Sequence, residues 1–221
     1  MVLAIDSAIS RWLLKGLDVH VRALHLPGTL HAGRPHLFVA NHISDVDILA
    51  LQSITPMVFI TSYEVRNNSF LGTLAIVGGC FFVERRNKFG ARSEIERLAQ
   101  VLRDGSDVIL FAEGTSSNGE SVLPFKNTLM QAAIDAEAVL VPVCINYLTI
   151  DGQPVTVANR DRIFYYGDMG FSAHLGRLLG AHSIEVECRY LEPLPLVKTD
   201  DRKEICERAY QAVKACYKSV I

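Results

Sequence analysis

Apolar positions recur every three to four residues at the start of the chain. Val2, Ile5, Ile9, Trp12, Leu13 and Leu17 fall on one side, and Asp6, Ser7, Ser10, Arg11, Lys15 and Asp18 on the other. That period predicts an amphipathic helix over 2–17. Its apolar stripe has two uses. It can pack on the rest of the chain, or it can lie in a bilayer interface with Trp12 at headgroup depth and Arg11 and Lys15 beside anionic lipid. Beyond it the period changes repeatedly. "HVRAL" (20–24), "HLFVA" (36–40), "MVFIT" (57–61), "CFFVE" (80–84), "DVILFAE" (107–113), "AVLVPVCINYL" (138–148) and "SIEVECRYL" (183–191) read as strands. "VDILALQSI" (46–54), "SFLGTLAIV" (69–77) and the stretches 90–104, 127–136 and 200–218 read as helices. Strands alternating with helices predict an α/β fold, with a two-layer, mostly parallel mixed sheet covered by helices. The near-continuous apolar strands agree with burial on both faces. No repeat or linker interrupts the pattern. The expected organisation is a membrane-associating helix over 1–18 and one domain over 19–221.

Composition narrows the options. The 221 residues are 49% hydrophobic, enough for one sizeable core with some apolar surface to spare. A net charge of −2 gives no basic character of the kind that nucleic-acid binding uses. The five cysteines form no CxxC pair and are odd in number, which favours buried thiols in a reducing setting over a disulfide framework. The longest apolar run, "FLGTLAIVGGCFFV" (70–83), is broken by Gly72, Gly78 and Gly79. It falls short of the ~18 residues of a spanning helix. The first residues lack the layout of a secretory signal.

Ligands of such sheets bind at the carboxyl ends of the strands. Three strands end there in polar clusters: "NHISDVD" (41–47), "VERR" (83–86) and "AEGTSSNGE" (112–120). His42 and Asp47 are five residues apart, about 140° on an ideal helix. They meet only if His42 precedes the helix and Asp47 lies in its first turn. Three readings are open for this segment. Ser44 with Asp47 at +3 resembles a capping box. His42, Asp45 and Asp47 together are a possible metal set, but no second cluster of ligand type follows. A His backed by a carboxylate also suits a general base. The sequence has no GxSxG elbow and no Cys in a nucleophile motif, so a base here would act on a hydroxyl carried by the substrate. Arg85 reads as an anion clamp or a surface ion pair. Glu113, Gly114 and Thr115 occupy a strand-to-loop turn where a glycine lets backbone approach a ligand. Lys126, in "LPFKNT", adds a cation.

Taken in order, His42 with Asp47, "GCFFVER" (79–85), "FAEGTS" (111–116) and "VLVPV" (139–143) resemble the four motifs of the glycerolipid acyltransferase family, which includes bacterial 1-acyl-glycerol-3-phosphate acyltransferases. The resemblance covers residues 36 to 145. It implies that His42 deprotonates the free hydroxyl of a lysolipid and that Asp47 supports His42. The hydroxyl would attack the thioester of acyl-CoA or acyl-carrier protein, a co-substrate, with no cofactor and no metal. Arg85, Glu113, Gly114, Thr115 and Lys126 would bind the acceptor, and Pro142 would lie on the acyl side. It also implies a protein peripheral to the cytoplasmic face of the inner membrane, with membrane lipid and the acyl donor as partners. Two positions depart from the family pattern F-P-E-G-T-R. Ala112 stands for Pro and Ser116 for Arg, which removes one phosphate ligand. "EGTSSNGESVLPFKNTL" and "YYGDM" (165–169) look more like the lyso-ornithine lipid acyltransferase branch. Arg85, Arg86 and Lys126 keep an anionic head group open, so the acceptor that the resemblance implies is 1-acyl-sn-glycerol-3-phosphate, in phospholipid biosynthesis, with lyso-ornithine lipid as the alternative. An acyl-thioester hydrolase, with His42 and Asp47 acting on water, is the remaining alternative.

Overall fold

A computed structural model describes residues 2–25, 33–62, 80–83 and 91–221. The expected helix over 69–77, and Arg85 and Arg86, lie outside these residues. Among the described residues nine strands form a sheet, with seven in the order β1-β8-β6-β2-β5-β3-β4. They are β1 (Val19–Leu24), β2 (His36–Ala40), β3 (Val58–Ser62), β4 (Phe81–Val83), β5 (Val108–Phe111), β6 (Val139–Ile150) and β8 (Ile184–Tyr190). Two-residue strands β7 (Gln153–Pro154) and β9 (Leu194–Pro195) pair with β6. Neighbours from β6 through β2, β5 and β3 to β4 run parallel. The sheet turns antiparallel at the β6–β8 seam, and β1 follows β8 in parallel. The α/β class, the mostly parallel mixed sheet and its helical cover are as the hydrophobic pattern predicts.

Alternation along the central strands divides the core in two. Phe38 and Ala40 of β2, Ile109 of β5, and Val141, Val143 and Ile145 of β6 point to one face. There they meet Leu14 of α1 (Val2–Gly16) and Val46, Ala50 and Leu51 of α2 (Val46–Ile54). Leu37, Val39, Val108, Leu110 and Leu140 point to the other. That face is covered by Leu98 and Leu102 of α3 (Ala91–Arg103), Met130 and Ile134 of α4 (Met130–Asp135), and Ile205 and Ala209 of α6 (Arg202–Cys216). Helices therefore lie on both sides of the sheet, adding a layer to the two expected. The helix α5 (Phe171–Leu179), which the periodicity did not single out, adds Leu178 to the α1/α2 side.

The first helix has close to the expected extent, and of the two uses open to its stripe, most of that stripe does not pack on the chain. Ser7, Ser10 and Leu14 are buried, and α1 packs on α2. Arg11 donates to Ser7 Oγ and to the Ser53 carbonyl, each at 2.9 Å, which ties α1 to the end of α2. Ile5, Ile9 and Trp12 are 53%, 47% and 73% exposed and line a shallow apolar groove with Ala4 and Ala8.

Two features fix the middle of the sheet. Pro142 lies inside β6, a position normally closed to proline. In a strand the N–H and C=O of one residue point the same way, and the Pro142 carbonyl accepts from Leu191 N–H at 2.9 Å. Its missing N–H therefore faces the gap between two partners, since β9 pairs as far as Leu140 and β8 begins at Val143. Asn41 follows β2 and is 1% exposed. Its Nδ2 donates to the Ile145 carbonyl at 2.9 Å, and the Ile145 N–H donates to its Oδ1 at 2.8 Å. The side chain thereby continues the β2–β6 ladder beyond the last paired backbone. Asn41→Ala leaves both Ile145 groups buried and unpaired, so we expect a loss of about 2–4 kcal/mol in urea unfolding.

Candidate active site

Register assembles the site. Ala40 of β2 is paired with Phe111 of β5, side by side in parallel. His42 and Glu113 each lie two residues beyond that pair, so two segments 71 residues apart in sequence leave the sheet together. The loop after β5 stays against the loop after β2. Ser117 N–H donates to the His42 carbonyl at 2.9 Å, and Ala112 N–H to the Ala40 carbonyl at 3.3 Å.

His42 precedes α2 and Asp47 occupies the helix's first turn, the arrangement that a five-residue spacing requires. His42 Nδ1 lies 2.9 Å from Asp47 Oδ2. The same oxygen accepts from the backbone N–H of Ile43 at 2.7 Å and of Ser44 at 3.0 Å. The bond from Ser44 N–H is the carboxylate half of a capping box. The Ser44 hydroxyl does not complete the box: it donates to the Ile163 carbonyl at 2.5 Å and accepts from the Val46 N–H at 3.3 Å. Cap and histidine support are thus one carboxylate, with 0% of its side chain exposed against 18% for His42. The imidazole stacks on Phe111, with ring centroids 4.1 Å apart and planes 15° from parallel. With Nδ1 bound and one ring face covered, Nε2 is the free end. Nothing among the described residues hydrogen-bonds it.

The other carboxylates differ. Asp45 sits at the N-cap of α2 without a side-chain cap bond, and its buried Oδ2 has no hydrogen-bond partner among the described residues. Burial raises its pKa, His42 opposes that shift, and Asp47 adds to it. Glu113 is 3% exposed. Its Oε1 accepts from His42 N–H at 3.3 Å, and its Oε2 is buried and unpartnered. Burial pushes this carboxyl up to about 8 against the pull of the His42 and Leu123 backbone N–H groups, with Asp47 raising it further. Glu113 therefore sits behind His42, carrying its proton at neutral pH.

Gly114 has φ +72 and closes the turn after β5. A Cβ there would stand 2.5 Å from Lys126 Nζ, so the lysine arches over a position that only glycine leaves free. Thr115 is exposed beside it, Lys126 is exposed, and the Lys126 N–H donates to the Ala112 carbonyl at 2.8 Å. The structure thus brings His42, Asp47, Glu113, Gly114 and Lys126 into one neighbourhood at the carboxyl edge of β2 and β5. Arg85 lies outside the described residues.

Three residues of this neighbourhood escaped the sequence reading: Asn41, Phe111 and Tyr147. Tyr147 OH donates to Asp47 Oδ1 at 2.7 Å, from a position 100 residues further along. A tyrosine inside a largely apolar strand was its one available signal, because a buried phenol needs a partner. As for an enzyme-borne nucleophile, burial pushes up the pKa of the Cys144 and Cys188 thiols.

An imidazole with one nitrogen on a buried carboxylate, and no partner for the other among the described residues, has the geometry that a general base needs at the edge of an α/β sheet. Comparison with known proteins sharpens that class. The acyltransferase family model matches residues 21–146. A lyso-ornithine lipid O-acyltransferase from Pseudomonas aeruginosa is 38% identical over 82% of this chain and 67% of its own length. One from Brucella abortus is 34% identical over 88% and 75%. A 1-acyl-sn-glycerol-3-phosphate acyltransferase from Neisseria gonorrhoeae is 26% identical over 84% and 73%. Among solved structures, the 1-acyl-sn-glycerophosphate acyltransferase PlsC from Thermotoga maritima shares the fold. Its TM-score is 0.66 at 20% identity, covering 97% of this chain and 77% of that one. The chain belongs to the acyltransferase family and is an enzyme of the lysolipid acyltransferase type.

The Glu113 carboxyl gives a pH prediction. Unfolded, a glutamate releases its proton near 4.5; folded, this one holds it to about 8. Between those values the folded state binds more protons. Its stabilising contribution is therefore full below 4.5 and lost as pH rises through about 8. Glu113→Gln should reduce the fall in denaturation midpoint across that window; equal slopes in both proteins would show Glu113 already ionised.

Proposed function

We propose that the chain transfers a fatty acyl group from acyl-CoA or acyl-carrier protein to the free hydroxyl of a lyso-ornithine lipid, working as a peripheral protein at the cytoplasmic face of the inner membrane. The observation that carries the chemistry is the 2.9 Å contact between His42 Nδ1 and the buried Asp47 carboxylate, which leaves Nε2 to face substrate. His42 Nε2 takes the hydroxyl proton as the oxygen attacks the thioester carbonyl. The tetrahedral intermediate collapses by breaking the C–S bond, and the departing thiolate takes the proton from the imidazolium. The thioester is already activated, so the step needs one base and alignment, and no metal. A positioned base supplies roughly 10²–10⁴-fold, and holding the two reactants together adds several kcal/mol.

The acceptor follows from the head-group side. Ser116 stands where many family members carry an Arg, and the lyso-ornithine lipid enzymes match at 38% and 34% identity against 26% for the lysophosphatidate enzyme from Neisseria. An amino-acid head group carries a carboxylate and no phosphate. Lys126, over Gly114, and Arg85 suit that single negative charge. Thr115 offers a hydroxyl, and Glu113 acts through the His42 backbone. The cations Lys126 and Arg85 also favour a second reading, 1-acyl-sn-glycerol-3-phosphate as acceptor. For the membrane, the outward stripe of Ile5, Ile9 and Trp12 has the chemistry of an interfacial helix. No helix among the described residues is long and apolar enough to cross a bilayer.

Purified protein with acyl-CoA or acyl-carrier protein should release thiol fastest with lyso-ornithine lipid. Preference for 1-acyl-sn-glycerol-3-phosphate would establish the second reading, and equal release without any lysolipid would make the enzyme a thioesterase. His42→Ala should lower turnover by roughly 10²–10⁴-fold with the fold retained; full activity would remove His42 as the base. Ile9→Ser with Trp12→Ala should weaken binding to anionic liposomes and leave the melting temperature within a few degrees, because both side chains face outward. Unchanged binding would take the helix out of the membrane contact.

A further inference from the structure

We infer that Tyr147 is a positioning residue for the base. It holds Asp47 so that the carboxylate supports His42 without retaining the proton too tightly. This rests on the reading of His42 as the base. Asp47 makes four polar contacts. Oδ2 serves His42 Nδ1 and two backbone N–H groups, all supplied by the adjoining loop. Among the described residues Oδ1 has one partner, the Tyr147 phenol at 2.7 Å, supplied by a different strand. Rotation of the carboxylate about its Cβ–Cγ bond would break the Oδ2 bonds as well, but only the Tyr147 bond ties it to a strand outside its own loop. Remove it and Oδ1 becomes a buried, unpaired acceptor on a charged group.

Tyr147 is built for this position. It is 6% exposed, and its ring lies edge-on to Phe164 at 5.4 Å. The β6–β8 register shifts immediately after it, between Tyr147 and Thr149. Such irregularities re-aim side chains beside active sites. A hydrogen bond to a carboxylate draws charge toward the phenol. Without it, the Asp47 charge falls more fully on the imidazolium and the pair holds its proton to higher pH. The other titratable groups facing this trio are Asp45 before α2, Glu113 after β5, Cys188 on β8 and Tyr217 after α6. All remain in place when only the Tyr147 hydroxyl is removed.

The test is Tyr147→Phe in the full chain, assayed against pH with the acceptor that the lysolipid panel selects. Turnover should fall roughly 10- to 100-fold, as expected for one hydrogen bond to a charged group. The acceptor KM should be unchanged, and the acid limb of the rate profile should move to higher pH. Tyr190→Phe is the matched control. Tyr190 is 2% exposed and its hydroxyl has no partner, so that variant should keep both rate and profile. Unchanged turnover in Tyr147→Phe overturns the proposal, as does a loss that follows melting temperature with the acid limb unmoved. A second comparison avoids any folding penalty from an unpaired charge. In an Asp47→Asn background, adding Tyr147→Phe should change turnover little, and a further tenfold loss would show that Tyr147 does not act through Asp47. An active His42→Ala would instead refute the base itself, independently of these outcomes.

Discussion

The carboxylate of Asp47 has no solvent contact, and everything around the site is arranged to keep it charged and still. Two backbone N–H groups at the start of α2 hold one oxygen along with the His42 ring, and a phenol from β6 holds the other. A buried carboxylate without such partners would be expensive and would take up a proton. With them it fixes three things at once: where α2 begins, which way the His42 ring faces, and how close β6 must lie. Loop geometry, helix start and strand packing share a single group.

The sheet supplies the second constraint. Pairing of Ala40 with Phe111 lets the chain leave β2 and β5 side by side. His42 then rests on the Phe111 ring, and Glu113 lies behind it against its backbone. Asn41 extends the β2–β6 ladder with its side chain and stops the loop from peeling away. The free nitrogen of His42 faces outward because every other direction is filled by register-determined neighbours.

Much of this was legible along the chain. The seven principal strands followed from apolar runs, and α2 follows the stretch 46–54 end to end because its cap residues are local. His42 and Asp47 stood out because polar residues cluster where a buried strand ends. Other features had no local signal. The strands β7 and β9 are two residues each and exist only as partners of β6. The helix Phe171–Leu179 is short, with Gly176 inside it. Which face of α1 packs inward was open in the sequence. Apolar residues usually mark the buried side, but here Ser7 and Ser10 are small enough to bring α1 close to α2, and the Ile5, Ile9 and Trp12 stripe is left outside.

Local pattern along the chain carried the principal strands, the helices α1, α2, α3, α4 and α6, the polar ends of the strands and the family resemblance of those residues. These depend on periodicity and on residues a few positions apart, which the chain displays directly. The tertiary structure alone decided that β5 lies between β2 and β3, that Glu113 is buried behind His42, and that Tyr147 reaches Asp47. Each of these joins segments 50 to 100 residues apart, from the pairing of Val58 with Val108 to the hydrogen bond between Tyr147 and Asp47. Such contacts form when burial removes water from polar groups and leaves them only each other. That condition belongs to the packed molecule, and no local stretch carries it.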